Sequence, residues 1–352
     1  MPLRLFQCDK ISRFALHESG MQRRTFMILM GSAATWAPAT RAQPASRRRI
    51  AIVTSVIPAS LISEDSGDNA SRLLFRELRR LDHVEGRDMI VERYSAEGHP
   101  ERLSALAREV VSHAPELIVA GGGPVAEALA AATTTIPIVA VFTSALRAGL
   151  VASLARPGSN ITGVSVDTGM EIVGKRIQML KEVVPAAQKV GYIELSGSPE
   201  TTAGPVLADA SQKLGISVVV IPLRESTRDE YERIFAEMAD RRIDAVLISD
   251  QGEALAYRQL IVQLAQKNRL PTMCASADFV DVGGLMAYAA DPEAVFHAIA
   301  DDVHQILTGT KPERIPVVQP TKFEFSVNLN AVQALGLIIP PALLAAADRV
   351  ID

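Results

Sequence analysis

The chain has 352 residues, of which 48% are hydrophobic and 22% are charged, and its formal net charge is −4. This composition is typical of a globular protein and excludes a disordered or fibrous chain. Residues 1–42 hold six basic and two acidic residues, so the rest of the chain carries 30 basic and 38 acidic residues, a net charge of −8. A clearly acidic surface argues against nucleic acid as a partner.

The first predicted element is an export signal within residues 1–42. Arg23 and Arg24 precede Thr-Phe-Met, an apolar run extends from Met27 to Ala39, and small residues surround Ala42. A basic start, a short apolar segment and a small-residue cleavage site are typical of a signal peptide, and the paired arginines resemble a twin-arginine signal. A membrane anchor or a buried helix is the alternative, but the run is shorter than the roughly 20 residues that span a bilayer.

Several expectations about the mature protein follow from this signal. Met21 is a better start than Met1, although residues 1–20 are either a mis-assigned start or a true extension. Cleavage near Ala42 removes Cys8 and leaves Cys274 alone, so we expect no intramolecular disulfide. No cysteine at the cleavage site is available to carry a lipid. We therefore expect a protein that diffuses freely in the periplasm as a monomer.

Beyond the signal, short apolar strands alternate with longer amphipathic helices. Strands are predicted at 50–53, 89–94, 117–120 and 138–141, with helices at 71–81, 101–112 and 125–132, and the extended segment 160–164 is expected to cross between lobes. The pattern then restarts, with strands at 190–195, 218–221, 245–249, 272–274, 285–288 and 323–329 and helices at 171–183, 203–214, 228–240, 253–267, 292–307 and 341–349. β-Branched runs joined by helices indicate parallel sheets covered on both faces.

The length of the mature chain, about 310 residues, exceeds the usual limit of a single hydrophobic core. The sequence therefore predicts an α/β protein of two lobes, each a parallel sheet flanked by helices. We assign residues 49–160 with 320–352 to lobe I and residues 164–316 to lobe II. Ligands of open α/β sheets bind outside the carboxyl ends of the strands, so we expect a binding cleft between the lobes.

Small polar residues and glycines at the predicted strand ends are the candidate site. Gly122 and Gly123 belong to a strand-to-helix turn that lets backbone N–H groups approach an anion, although it also fits a simple tight turn. Hydroxyl groups at strand ends orient ligands or cap helices. Asp250 is suited to receive an ammonium group, or to cap the following helix. The candidates are Ser55, Gly122, Gly123, Thr143, Ser144, Ser196, Asp250 and Asp278.

Catalytic patterns are poorly supported. No histidine after residue 42 has metal-ligand spacing to another histidine or to a cysteine, and no Gly-x-Ser-x-Gly motif is present. Cys274 has no basic residue near it in sequence and is interpreted as a buried, inert thiol. We predict no cofactor, no metal site and no enzymatic activity.

Several motifs occur in the order of a known family. They are Glu85-Gly86-Arg87-Asp88, Ala120-Gly121-Gly122-Gly123-Pro124, Thr135-Ile136-Pro137-Ile138-Val139, residues 149–158 with Asn160-Ile161-Thr162-Gly163-Val164, Gly283-Gly284-Leu285-Met286-Ala287-Tyr288, Gly309-Thr310-Lys311-Pro312, residues 318–324 with Asn328-Leu329, and Ala334-Leu335-Gly336-Leu337. With this set the chain resembles the periplasmic substrate-binding proteins of ABC transporters, in particular the group that includes tryptophan/tyrosine-binding-type proteins.

The resemblance implies a type I periplasmic-binding-protein architecture that closes by hinge motion on an amino-acid-like or other small organic ligand and delivers it to a permease in the inner membrane. It also implies that the eight candidate residues contact this ligand. Three departures bear on ligand identity. Ser144-Ala145-Leu146-Arg147 lacks the aspartate common in the family, and the second-lobe loop, which commonly carries Asn-Pro, is Glu194-Leu195-Ser196-Gly197-Ser198-Pro199. Ala287, Ala289 and Ala290 stand where small polar residues or glycine are common.

The main functional prediction is therefore a non-enzymatic solute-binding component of an ABC importer. A periplasmic ligand sensor that signals to a membrane receptor has the same fold and is the second hypothesis. An exported α/β enzyme is the third, disfavoured because no nucleophile or metal constellation is present. A cytosolic repressor would need a DNA-binding module, which the leader does not resemble.

Overall fold

The computed structural model describes residues 47–142, 145–146, 148–166, 171–195, 204–249 and 253–352. The predicted signal peptide and four predicted site residues, Thr143, Ser144, Ser196 and Asp250, lie outside the described residues. Residues 46–352 form one compact unit. No described helix is long and apolar enough to cross a membrane.

Strands and helices alternate along the first part of this unit. The elements are β1 (Arg48–Thr54), α1 (Asn69–Arg80), β2 (Met89–Ser95), α2 (Leu103–Ser112), β3 (Leu117–Gly121), α3 (Gly123–Ala132), β4 (Ile138–Phe142) and β5 (Ile161–Ser165). The strands form a five-stranded parallel sheet in the order β2-β1-β3-β4-β5. The central strands β3 and β4 are apolar along their length because helices cover both of their faces.

A second sheet follows. Its elements are α4 (Glu171–Val183), β6 (Lys189–Leu195), α5 (Gly204–Leu214), β7 (Ser217–Leu223), α6 (Arg228–Asp240), β8 (Ala245–Ile248), α7 (Glu253–Ala256), α8 (Arg258–Lys267), β9 (Thr272–Cys274), α9 (Asp278–Asp281), β10 (Met286–Ala290), α10 (Pro292–Leu307), β11 (Phe323–Asn328), α11 (Leu329–Leu335), α12 (Pro341–Ala345) and β12 (Arg349–Ile351). The strand order is β12-β11-β10-β9-β8-β6-β7, in which only the β10–β11 pair is antiparallel.

Local sequence explains where several helices begin. α1 starts after Asp68, whose carboxylate accepts the backbone N–H of Ser71 at 2.7 Å, and α6 starts after Thr227, whose hydroxyl caps Glu230. Such side chains replace hydrogen bonds that the first turn of a helix lacks. Apolar stripes then bury each helix against a sheet, as in α6, where Tyr231, Ile234 and other apolar side chains are buried.

Four hydrophobic clusters cover the four sheet faces. Helices α2 and α3 pack on one face of the first sheet, and α1 packs on the other. In the second sheet, α4, α5, α11 and α12 cover one face, and α6, α8 and α9 cover the other. This double covering confirms the predicted α/β class with two helix-flanked lobes, whose sheets are parallel except for the β10–β11 pair.

The predicted lobe boundaries were wrong at the C-terminal end. Helix α10 was assigned to lobe II, but Val295, Ile299 and Val303 are buried with α1 against the first sheet. Residues 320–352 were assigned to lobe I, but β11 pairs with β10 and β12 with β11 in the second sheet. Lobe I therefore comprises residues 47–165 with 292–318, and lobe II comprises residues 171–290 with 323–352.

The segment 160–164 also differs from its prediction, because it is not a crossover but the edge strand β5 of lobe I. The described elements show that the chain passes between the lobes three times, after β5, after β10 and before β11. Two of these crossings are joined, since Asp291 N–H donates to the Lys322 carbonyl oxygen at 3.0 Å and Lys322 Nζ lies 2.6 Å from the Asp291 carboxylate. Three parallel connections are well suited to act as a hinge.

Candidate functional site

The first sheet changes winding direction between β1 and β3, because β2 lies on one side of β1 and β3 on the other. Ligands of open α/β sheets bind at such switch points, outside the carboxyl ends of the strands. Ser55 follows β1 and Gly122 follows β3. A Cβ atom built on Gly122 would lie 4.0 Å from Ser55 Oγ, so the structure brings these two predicted site residues together.

The backbone at Gly122 requires glycine. Its φ is +119° and its ψ is 154°, a conformation that side-chain-bearing residues rarely adopt. This turn allows α3 to begin directly at Gly123 with Pro124 in its first turn. The third predicted glycine-loop residue, Gly123, has open space around its Cβ position. The loop therefore presents small residues and backbone atoms at the switch point.

The second sheet has its own switch point, between β6 and β8, because β7 lies on the other side of β6. Glu194 stands near the carboxyl end of β6 and Ser249 directly follows β8. Glu194 is 5% exposed, and burial raises the pKa of its carboxyl group. It makes no hydrogen bond or ion pair with any residue that the structure describes. A buried carboxylate without a partner is costly, so this position differs from the apolar interior around it.

The two lobes approach each other at one end of the space between them. Lobe I contributes Ser55, Val56, Gly98 and Pro100, and lobe II contributes Ser226, Ala256 and Tyr257. The cavity among these residues has a volume of about 10 Å³, which is about the smallest cavity that can hold one water molecule. The described residues of the two lobes therefore come close together at this point, with little free volume between them.

Tyr257 is held in place within this contact. Its ring lies 5.2 Å from the ring of Tyr231, which is buried on α6. Residue 257 also interrupts the single helix predicted for 253–267, which the structure divides into α7 and α8. The break places an aromatic side chain at the boundary between the lobes, where it covers apolar surface and can offer a hydroxyl group to a ligand.

Asp278 follows β9, at the strand end where the sequence predicts it, and its contact with a ligand stays a prediction. It begins the short helix α9, and its carboxylate accepts a hydrogen bond from Ser276 Oγ at 2.6 Å. Its backbone N–H in turn donates to Ser276 Oγ at 3.3 Å. This local exchange is the turn-forming behaviour of Asp and Ser side chains. Within the described residues, nothing brings Asp278 together with Ser55 or Gly122.

A larger cavity, of about 120 Å³, lies elsewhere on lobe II. Its lining includes Thr272 at the start of β9 and Gly283 before β10, together with Gln266 and Ala334. These residues mark the amino ends of the strands, which is the edge opposite the cleft. No group of three or more potential metal ligands occurs among the described residues. Cys274 is fully buried, and burial raises the pKa of its thiol to about 12, so the inert interpretation fits its surroundings.

The sequence model of the family described as ABC transporter substrate binding protein matches residues 55–351. The chain belongs to this family. A tyrosine-binding protein of Clostridioides difficile (strain R20291) is 24% identical to this binding protein over 284 residues, which are 79% of this chain and 80% of that protein.

Solved structures show the same fold. A conserved domain protein of Vibrio cholerae O1 biovar eltor is 25% identical and superposes with a TM-score of 0.77, covering 87% of this chain and 100% of that one. An ABC domain of Streptococcus pneumonia in complex with L-Trp is 22% identical, with a TM-score of 0.76 and the same coverage. The predicted two-lobed binding-protein fold is confirmed.

The sequence-based prediction did not select Tyr257 and Ser226, which line the space between the lobes. It also did not select Glu194, which stands at the switch point of lobe II. A signal for Glu194 was present, since a charged residue near the end of an otherwise apolar strand is unusual in a doubly covered parallel sheet. No such signal existed for Tyr257, because its position depends on a helix break and on the approach of the other lobe.

Proposed function

We propose that this member of the family is the periplasmic solute-binding component of an ABC importer, and that it captures an amino-acid-like ligand between its lobes by hinge closure. The observation that carries the proposal is that residues following the strands of both lobes, such as Ser55 and Tyr257, border one interlobe space. The lobes lie close together at this space and are joined by three crossings, an arrangement suited to opening and closing.

The ligand class rests on a relative and on the chemistry of the cleft. The alignment with this chain covers four-fifths of the tyrosine-binding protein, and the name of that protein states the ligand that it binds. Small polar groups such as Ser55, glycine backbone at Gly122 and the aromatic Tyr257 suit a small zwitterion with an apolar body. Of the predicted site residues, Ser55 and Gly122 remain the central candidates in lobe I.

The cellular setting is part of the same proposal. Family members are typically periplasmic or extracellular. We propose that the leader is removed near Ala42, that the mature protein is a freely diffusing monomer without cofactor, and that it delivers its ligand unchanged to a permease in the inner membrane. Expression of the full chain, followed by cell fractionation and N-terminal sequencing, tests the leader. Lysine in place of both Arg23 and Arg24 should block export only if the twin-arginine route is used.

Ligand binding is tested on a chain that starts at residue 43. Thermal unfolding is measured with L-tyrosine, L-tryptophan, other amino acids and sugars, and hits are measured by calorimetry. A true ligand raises Tm, since it binds only the folded state; at 100 times Kd the stabilisation is about 2.7 kcal/mol. Recovery of the ligand unchanged after prolonged incubation supports a binding protein without turnover. Failure of every compound to shift Tm, or conversion of a bound compound, would count against the proposal.

A further inference from the structure

The strand register of lobe II aligns side chains from four neighbouring strands in rows. Tyr192 pairs with Leu247 on β8, Leu247 with Met273 on β9, and Met273 with Met286 on β10. All four side chains belong to the hydrophobic cluster beneath α4 and α5, which establishes that the row lies on that face of the sheet. Residues two positions further along each strand lie on the same face, because side chains alternate with a period of two.

The next row, at the carboxyl edge, has a different character. Continuing the register by two residues gives Glu194 on β6 and Tyr288 on β10, and between them Ser249 and Ala275, which directly follow β8 and β9. The middle two are small and only partly buried, whereas their counterparts Leu247 and Met273 are fully buried. Adjacent strands are about 4.8 Å apart, so the row spans roughly 14 Å from its carboxylate to its aromatic ring.

The two ends of this row, which we call the edge row, are chemically distinct. Tyr288 stacks on Phe323 with ring centroids 5.4 Å apart, so one end is a prepared aromatic surface. Arg176 is buried near this end, with Nε donating to the Tyr288 carbonyl oxygen at 2.7 Å. At the other end, Glu194 is a buried residue, and its carboxylate has no hydrogen-bond or ion-pair partner among the described residues.

We propose that Glu194 receives the ammonium group of the ligand, which makes it a specificity-determining residue for amine-bearing ligands. Glu194 lies at the switch point of lobe II, between β8 and β7, and the segments after those strands carry the cleft-lining residues Tyr257 and Ser226. A buried carboxylate attracts a cation, so an ammonium group is favoured beside Glu194. The apolar body of the ligand then extends over Ser249 and Ala275 toward Tyr288.

This assignment rests on the proposed function and adds the ligand class. A charge-assisted hydrogen bond to a buried carboxylate is stronger than a neutral one, so it discriminates amines from matched compounds without the amino group.

The test compares pairs of probes on the chain that starts at residue 43. L-tyrosine is paired with 3-(4-hydroxyphenyl)propionate, L-tryptophan with indole-3-propionate, and D-tagatose serves as a neutral probe. We expect at least one amino acid to bind and its des-amino partner to bind at least tenfold more weakly. Glu194→Gln should weaken the binding of that amino acid by roughly 10- to 150-fold. Glu194→Asp should retain more affinity than Glu194→Gln, because it keeps the charge.

Glu232→Gln on the exposed surface of α6 is the matched control and should leave affinity unchanged. Far-UV circular dichroism and Tm verify that each variant is folded. Equal binding of an amino acid and its des-amino partner, or unchanged affinity in Glu194→Gln, overturns the ammonium assignment. Binding of D-tagatose but of no amino acid also overturns it while the proposed function stands, whereas binding of no probe contradicts both.

Discussion

Replacement of Asp302 by asparagine should change how the stability of lobe I depends on pH. Asp302 lies on α10, is 3% exposed, and its Oδ2 has no hydrogen-bond partner among the described residues. Burial, with a smaller contribution from the neighbouring Asp301, raises the pKa of its carboxyl group from 3.8 to about 7. The helix packs against the first sheet, so the energetic cost of this charge falls on the core of lobe I.

The sign follows from the direction of the shift. An acid whose pKa is raised on folding binds its proton more tightly in the folded state than in the unfolded state. Its protonation therefore favours the folded state at low pH, and this contribution is lost at a pH above both pKa values. Between about pH 4 and pH 7 the folded state keeps the proton of Asp302 and the unfolded state does not. Stability therefore falls by about 1.4 kcal/mol per pH unit in the middle of this range, and by at most about 4 kcal/mol in total.

Urea unfolding of wild type and Asp302→Asn at half-unit steps from pH 4 to pH 8 measures this effect. The quantity compared is the difference in the free energy of unfolding, because other carboxylates contribute equally to both proteins. We expect the variant to gain stability relative to wild type as the pH rises, even if its buried amide carries a constant cost. Asp82→Asn, at an exposed position with φ of +65°, is the control and should run parallel to wild type. A parallel course for Asp302→Asn would refute the reasoning.

Two further substitutions test the packing of each lobe by urea unfolding. Gly163→Ala should destabilise lobe I by roughly 3 kcal/mol or more, because its Cβ would clash with the Ala140 carbonyl oxygen and its φ is +136°. Gly174→Ala, in open space on α4, should be neutral or stabilising. Equal changes in the free energy of unfolding for the two variants would contradict this account. Glu230→Gln should lower the free energy of unfolding by about 1–2 kcal/mol at pH 7, because a hydrogen bond from the partly exposed Arg233 lowers the pKa of Glu230 to about 2. The stability difference between wild type and variant should vanish as the pH falls from 4.5 to 2. A difference that persists at pH 2 would contradict the assignment.

Local elements were largely predictable from the sequence, and their assembly was less so. The apolar run 50–53 identified β1, which the structure extends to Arg48–Thr54, and helix 292–307 matched α10. The lobe to which α10 belongs was not predictable, because an apolar stripe fits either sheet and the choice depends on contacts with residues more than 200 positions away, such as Arg80 with Asp301. Hydrophobic periodicity reports burial and not the identity of the covering partner.

The candidate site shows the same division. Strand-end reasoning identified Ser55 and Gly122, which the structure brings together, since the carboxyl ends of neighbouring parallel strands necessarily meet. It also selected Asp278, whose carboxylate is engaged by Ser276, because a strand-end aspartate that closes its own turn has the same pattern as one that faces a ligand. Glu194 became a candidate only when the strand order placed it at the switch point of lobe II.

The central claim, closure of two lobes on a ligand, is tested most directly by the distance between the lobes. Spin labels on Ser104→Cys in α2 and Gln212→Cys in α5 occupy exposed positions of lobe I and lobe II, and the buried Cys274 thiol should remain unlabelled. The distance between the two labels is then measured by pulsed electron–electron double resonance, with and without the amino acid that calorimetry identifies. We predict that a saturating ligand shifts the distance distribution to a single narrow population. An unchanged distribution in protein shown by calorimetry to be fully bound would contradict the account.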